Sequence, residues 1–159
     1  MTHDLTLRPI AHVRCGFSTP SGTPIQAVYA HEHEAVIELD PVYATGLQDL
    51  DGFEHLWLIT HLHHSPGCEL VVTPFRDDRP HGIFATRSPR RPNPIGLSLV
   101  RLLRIEGCKL HISGVDVVDG TPILDIKPYV PAFDCRTSSR AGWFDEGRSE
   151  RTVADDRFA

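Results

Sequence analysis

The stretch Gly114-Val115-Asp116-Val117-Val118-Asp119-Gly120-Thr121-Pro122-Ile123-Leu124-Asp125 sets two β-rich runs on either side of an Asp-Gly pair. Asp-Gly favours a two-residue hairpin turn whose backbone twist matches that of the strands it joins. The register predicted from that turn has Val118 facing Thr121, Asp116 facing Ile123 and Gly114 facing Asp125. Directly opposed residues share a face of the sheet. Asp116 and Asp125 are therefore expected as diagonal neighbours on one side, in company with Lys127. The plainer expectation for that face is an Asp125–Lys127 ion pair beside a structural turn.

Outward from this point, most segments read as short strands cut by Gly, Pro and Asp: residues 10–17, 25–30, 34–39, 53–63, 68–75, 81–86 and 95–105. Residues 25–30 and 34–39 predict a hairpin across His31-Glu32-His33. Asp40-Pro41 predicts a short helix over 41–50, since Asp can cap free amides and Pro suits the first helical position. Tyr43, Leu47 and Leu50 fall at i, i+4 and i+7, which gives that helix one apolar face. Strands this short and numerous predict a mainly β chain: an antiparallel β-barrel, closed or nearly so, with short helices. Residues 1–135 are assigned to the barrel. Residues 136–159 are assigned to a charged C-terminal extension, expected to pack loosely.

A chain of 159 residues can bury one core without disulfides or metal. No apolar run approaches the roughly 20 residues of a membrane helix, so no membrane partner is expected. Met1-Thr2-His3-Asp4 lacks the pattern of a signal peptide. Cys15, Cys68, Cys108 and Cys135 are widely spaced with no C-x-x-C pair, and are expected as reduced, mostly buried thiols. These observations together predict a cytoplasmic protein.

The formal net charge of −5 argues on its own against a nucleic-acid partner, but its distribution does not. Residues 76–104 hold seven arginines against Asp77 and Asp78, a local balance of +5, and the remainder of the chain carries −10. Local patches rather than totals attract phosphate. Within this window, Arg87-Ser88-Pro89-Arg90-Arg91-Pro92-Asn93-Pro94 has three prolines in six residues. A stiffened loop holds guanidinium groups in place at low entropic cost, which suits carboxylate or phosphate. His61 and His63 would share a face if the strand runs through both, but no third ligand stands at a familiar spacing, and no metal is assigned. No dinucleotide-binding glycine motif, phosphate loop or nucleophile elbow is present.

Four blocks stand out together: Gly82-Ile83-Phe84-Ala85-Thr86-Arg87-Ser88; Arg91-Pro92-Asn93-Pro94-Ile95-Gly96-Leu97-Ser98; Asp119-Gly120-Thr121-Pro122 with Asp125-Ile126-Lys127-Pro128-Tyr129; and Gly46-Leu47 through Phe53, His55, Leu56 and Trp57. Together they closely resemble the signature of the TsaA/TrmO-like family. The resemblance implies a β-barrel methyltransferase, commonly a homodimer, that uses S-adenosylmethionine. The reaction it implies is methylation of the exocyclic amine of threonylcarbamoyl-adenosine in the tRNA anticodon loop. Implied cofactor contacts are Pro24, Ile25, Gln26, His63, His64, Arg87, Leu97, Ser113, Gly114, Val115 and Asp116. The candidates for a base are Asp116, Asp125 and His63. Arg90, Arg91, Arg101 and Arg104 are the candidates for a phosphate-facing patch.

The chain departs from the family pattern in three places. Pro24-Ile25-Gln26 stands where members often have Pro-Arg-Gln, and His63-His64 where they have His-Gln. Longer bacterial members carry a further C-terminal domain. That last departure favours one alternative, a methyltransferase with another acceptor; a non-catalytic S-adenosylmethionine-binding regulator and a cupin-like metal enzyme using His61 and His63 are two further readings.

Overall fold

The computed structural model describes residues 4–159; most of the N-terminal stretch read for a signal peptide, Met1 to His3, lies outside the described residues. The strands are β1 (Ala11–Arg14), β2 (Glu34–Leu39), β3 (His55–His61), β4 (Val71–Val72), β5 (His81–Gly82), β6 (Ile95–Glu106), β7 (Lys109–Ser113) and β8 (Pro122–Pro128), with successive side chains on opposite faces. Six of them close an antiparallel barrel in the order β1-β2-β7-β6-β3-β8, and β4 and β5 pair apart from it. Closure comes from β1, which pairs with β2 along Ala11↔Leu39 and with β8 at Ala11↔Ile123. A mainly β chain with a closed antiparallel barrel is thus what forms.

Every second residue turns inward. Val13, Ile37, Leu56, Leu58, Val100, Leu110, Ile112 and Ile123 are buried together inside the barrel. Each such side chain contributes about 1.5–3 kcal/mol on leaving water. The hairpin that does form from adjacent strands joins β6 to β7 across Gly107-Cys108, with Gly107 in the left-handed region at φ 60° and Glu106 opposite Lys109.

The Asp119-Gly120 turn exists, but it does not join paired strands. β7 lies between β2 and β6, whereas β8 lies between β1 and β3. Residue 114 decides this: Gly114 sits at φ 90°, a conformation open to glycine, and takes the chain out of β7. Val115, Val117 and Val118 are then buried as the segment crosses to β8. The turn is held by β1 instead, with Gly120 N–H donating to Val13 O at 2.8 Å. The expected register, with Asp116 opposite Ile123 and Asp125 opposite Gly114, is therefore overturned.

Other local expectations are corrected as well. Residues 25–30 contain a 3-10 turn, Ala27–Tyr29, so β2 finds its partners in β1 and β7 and no hairpin spans His31–33. Asp40 does cap its helix, accepting from Val42 N–H at 3.1 Å, but the helix is 3-10 over Pro41–Leu47. Asp49, left-handed at φ 64°, separates it from a second 3-10 turn, Leu50–Gly52. Cys68 and Cys135 are exposed, while Cys15 and Cys108 are partly buried. The C-terminal segment is mostly exposed but is fastened at its end, where Phe158 is buried with Val72 and Ile83 in a second small core. Among the described residues, no helix is long and apolar enough to cross a membrane.

Candidate functional site

Asp116 anchors the candidate site from the crossing between β7 and β8. Asp116 Oδ1 accepts from the Ser98 hydroxyl at 2.5 Å. Ser98 is buried because it lies on the inward face of β6, in step with Val100. Asp116 keeps some exposed surface, yet its carboxyl is enclosed, and that burial pushes its pKa up to about 6. The Ser98 hydroxyl, the amides of Asp116 and Ala27, and the charge of Arg87 favour the ionised form without offsetting the burial. Gly114 is buried beside the Ala27 carbonyl, where a Cβ would stand 3.7 Å from that oxygen.

Arg87 enters this cluster from the proline-stiffened loop. Its Nη1 donates to Gln26 Oε1 at 2.7 Å, which joins the loop of residues 24–26 to the arginine loop. Arg87, Gln26, Gly114, Ser98 and Asp116 thus come together from distant parts of the chain. Ser98 is a site residue that the sequence reading misses. Its period-two position between Gly96 and Val100 was the available signal.

Other candidates point elsewhere. The β3–β6 register puts Leu97 beside Ile59, and the β3–β8 register puts Ile59 beside Asp125. Leu97 and Asp125 therefore share the outer wall, opposite to Ser98. Asp125 pairs there with Lys127 at 2.8 Å, as the plainer expectation had it. β3 ends at His61, so His63 lies in a turn beyond the strand and the H-x-H alternation is lost. The His63 ring packs edge-on to His64 at 4.2 Å between centroids. Burial, and then the neighbouring His64 and His61, hold the His63 pKa below its ordinary value. Among the described residues, no group of three or more His, Cys, Asp or Glu stands close enough to hold a metal.

The four arginines expected as one patch are divided. Arg91 is turned inward: its Nη1 donates to Ile83 O at 3.1 Å and Thr86 O at 2.7 Å and so fastens the loop. Arg90 pairs with Glu69. Arg101 lies 3.4 Å from Glu54, and Arg104 lies 2.7 Å from Glu106. At about 3.3 Å per strand residue, Arg104 stands about 30 Å along β6 from the loop arginines. A groove of about 460 Å³, lined by Val72, Phe75, Asp77, Arg148 and Phe158, shares no residue with the Asp116 cluster.

A family profile described as the tRNA-methyltransferase O N-terminal domain matches residues 12–135. The chain belongs to this family. A probable S-adenosyl-L-methionine-binding protein of Pyrococcus abyssi is 45% identical, over 95% of this chain and 83% of its own length. The human tRNA (adenine(37)-N6)-methyltransferase is 35% identical over 84% of this chain, which spans only 32% of the human protein. A crystal structure of TrmO from Pseudomonas aeruginosa superposes with a TM-score of 0.73 at 36% identity, covering 90% of this chain and 63% of that one. The barrel and the quoted motifs thus match proteins of one family, several of which are much longer than this chain.

Proposed function

We propose that this protein is an S-adenosylmethionine-dependent tRNA methyltransferase. In this reading it methylates the exocyclic amine of threonylcarbamoyl-adenosine beside the anticodon, in the cytoplasm, as a homodimer. The family match supports the reaction class. The observation that carries the reading to particular residues is the meeting of Arg87, Gln26, Ser98 and Asp116 at one place. Their chemistry fits the cofactor: a guanidinium suits its carboxylate, and an enclosed carboxylate suits its ribose hydroxyls, ammonium or sulfonium. Gly114, at φ 90°, lets the chain leave β7 against the Ala27 carbonyl and so brings Asp116 to Ser98.

S-adenosylmethionine supplies an activated methyl group, so the protein's task is alignment and proton handling. Arg87, steadied by Gln26, is assigned to binding the cofactor's anionic end. Ser98 fixes the rotamer of Asp116 through its 2.5 Å hydrogen bond. The acceptor amine loses a proton overall, and Asp116 is the favoured acceptor for it. With a pKa of about 6 it is ionised at neutral pH, yet more basic than an ordinary carboxylate. Asp125 is committed to Lys127 on the outer wall, and His63 lies beyond the end of β3. The exposed Ile95, Leu97 and Leu103 on the outer face of β6 support the homodimer.

Incubation of the purified protein with labelled S-adenosylmethionine and bulk tRNA, followed by nucleoside mass spectrometry, tests the proposal. Methyl-threonylcarbamoyl-adenosine is the expected product. Label in another nucleoside would move the reading to another acceptor, and bound cofactor with no transfer would move it to a regulator.

A further inference from the structure

Residues 142–158 lie beyond the family match, which ends at residue 135, yet they contact both loops that meet at Gln26 and Arg87. The first contact is backbone pairing. Ile25 N–H donates to Thr152 O at 2.9 Å, Gly22 N–H to Ala154 O at 3.0 Å, and Ala154 N–H to Thr23 O at 2.8 Å, with Pro24 opposite Val153. Gln26, the next residue, then extends to Arg87.

Trp143 holds the other loop. Its indole N–H donates to Ala85 O at 2.7 Å, two residues before Arg87, and its ring stacks on His81 at 4.8 Å. Arg76 joins the sides, donating to the Tyr29 hydroxyl at 3.0 Å and to Arg151 O at 3.3 Å. The far end is anchored by Phe158 in the second core and by Arg157, which donates to Pro74 O at 2.8 Å.

The supported loop, Ser18-Thr19-Pro20-Ser21-Gly22-Thr23-Pro24, is rich in turn-forming residues, and only Thr23 and Pro24, where residues 153–154 pair with it, are buried. Left free, it would have to be ordered when ligand binds, and that entropy cost would weaken affinity. We infer that residues 142–158 form a positioning strap, which holds Gln26 against Arg87 in advance and so sets the affinity of the Asp116 site for S-adenosylmethionine. The inference rests on the cofactor reading of that site. Neither Trp143 nor Ala154 belongs to the cluster itself; both act through the loops.

The test is calorimetric titration of the full chain with S-adenosylmethionine, arranged as a double-mutant cycle. Ala154→Pro removes the N–H that bonds Thr23 O. It is expected to weaken binding about fivefold to tenfold, as for one lost hydrogen bond with loosening around it. In an Arg87→Ala background the same change should cost less than about twofold, because the side chain being positioned is gone. Trp143→Ala, outside both apolar clusters, should repeat the pattern and serves if the proline variant does not fold. Equal losses in both backgrounds, or no loss from either variant, overturn the strap. A wild type that binds no S-adenosylmethionine overturns the cofactor reading and the strap with it.

Discussion

The Ser98 hydroxyl donates to Asp116 Oδ1 at 2.5 Å, joining the inward face of β6 to the segment that crosses from β7 to β8. The Asp116 carboxyl is enclosed there, and its pKa stands at about 6 against an ordinary 3.8. A raised carboxyl pKa means the fold prefers the protonated form. That contribution is fully present below about pH 4 and is lost as pH rises through about 6. Asp116→Asn cannot titrate, so its stability relative to wild type should rise between pH 4 and 7. At 1.36 kcal/mol per pKa unit the gain is up to about 3 kcal/mol. Denaturant melts across that range check it; parallel pH profiles would remove the assignment.

If Asp116 also takes the proton of the acceptor amine, kcat/KM for methyl transfer should rise with pH through about 6 and then level. A profile with no inflection below pH 7 would return the role to another group.

Arg87→Ala should weaken S-adenosylmethionine binding by about 1.5–3 kcal/mol, the range for a charged hydrogen bond. Gln26→Ala, which removes only the acceptor that steadies Arg87, should cost about 0.5–1.5 kcal/mol. Calorimetry gives both values. A larger loss from Gln26 than from Arg87 would reverse their roles.

Gly96 lies opposite Thr60 in the β3–β6 ladder, where a Cβ would meet Thr60 Oγ1 and Leu62 Cδ2. Gly96→Ala should therefore destabilise the barrel by about 1–3 kcal/mol through overpacking, although alanine is ordinarily the better residue inside a strand. A thermal melt at or above that of wild type would contradict this packing.

Arg101 and Arg104 lie three residues apart near the β7 end of β6, each beside a glutamate. Reversing both charges should lower tRNA affinity and flatten its salt dependence by roughly 0.7–0.9 per phosphate contact. S-adenosylmethionine affinity should stay constant, since neither residue touches the Asp116 cluster. Unchanged tRNA binding would assign both side chains to solvent.

What the sequence determined by itself lies at short range. β-rich runs cut by Gly, Pro and Asp marked β1, β2, β3 and β6, and their number and shortness made an antiparallel barrel the expected architecture. Asp40 was legible as a cap, and the four blocks identified the family, whose resemblance put Arg87 and Asp116 among a longer set of candidate site residues. Each of these depends on a residue and its near neighbours in the chain. Tertiary structure decided which distant segments meet. The Asp-Gly turn formed without its hairpin, because Gly114 turned the chain across the barrel and β7 paired with β2 and β6 rather than with β8. The pairing of Asp116 with Ser98, the separation of Asp125 to the outer wall and the docking of Trp143 and Phe158 onto the loops followed from that closure. A charged tail reads as solvated when taken alone; its few aromatic residues and its backbone N–H and C=O groups bind only where the folded loops present matching partners.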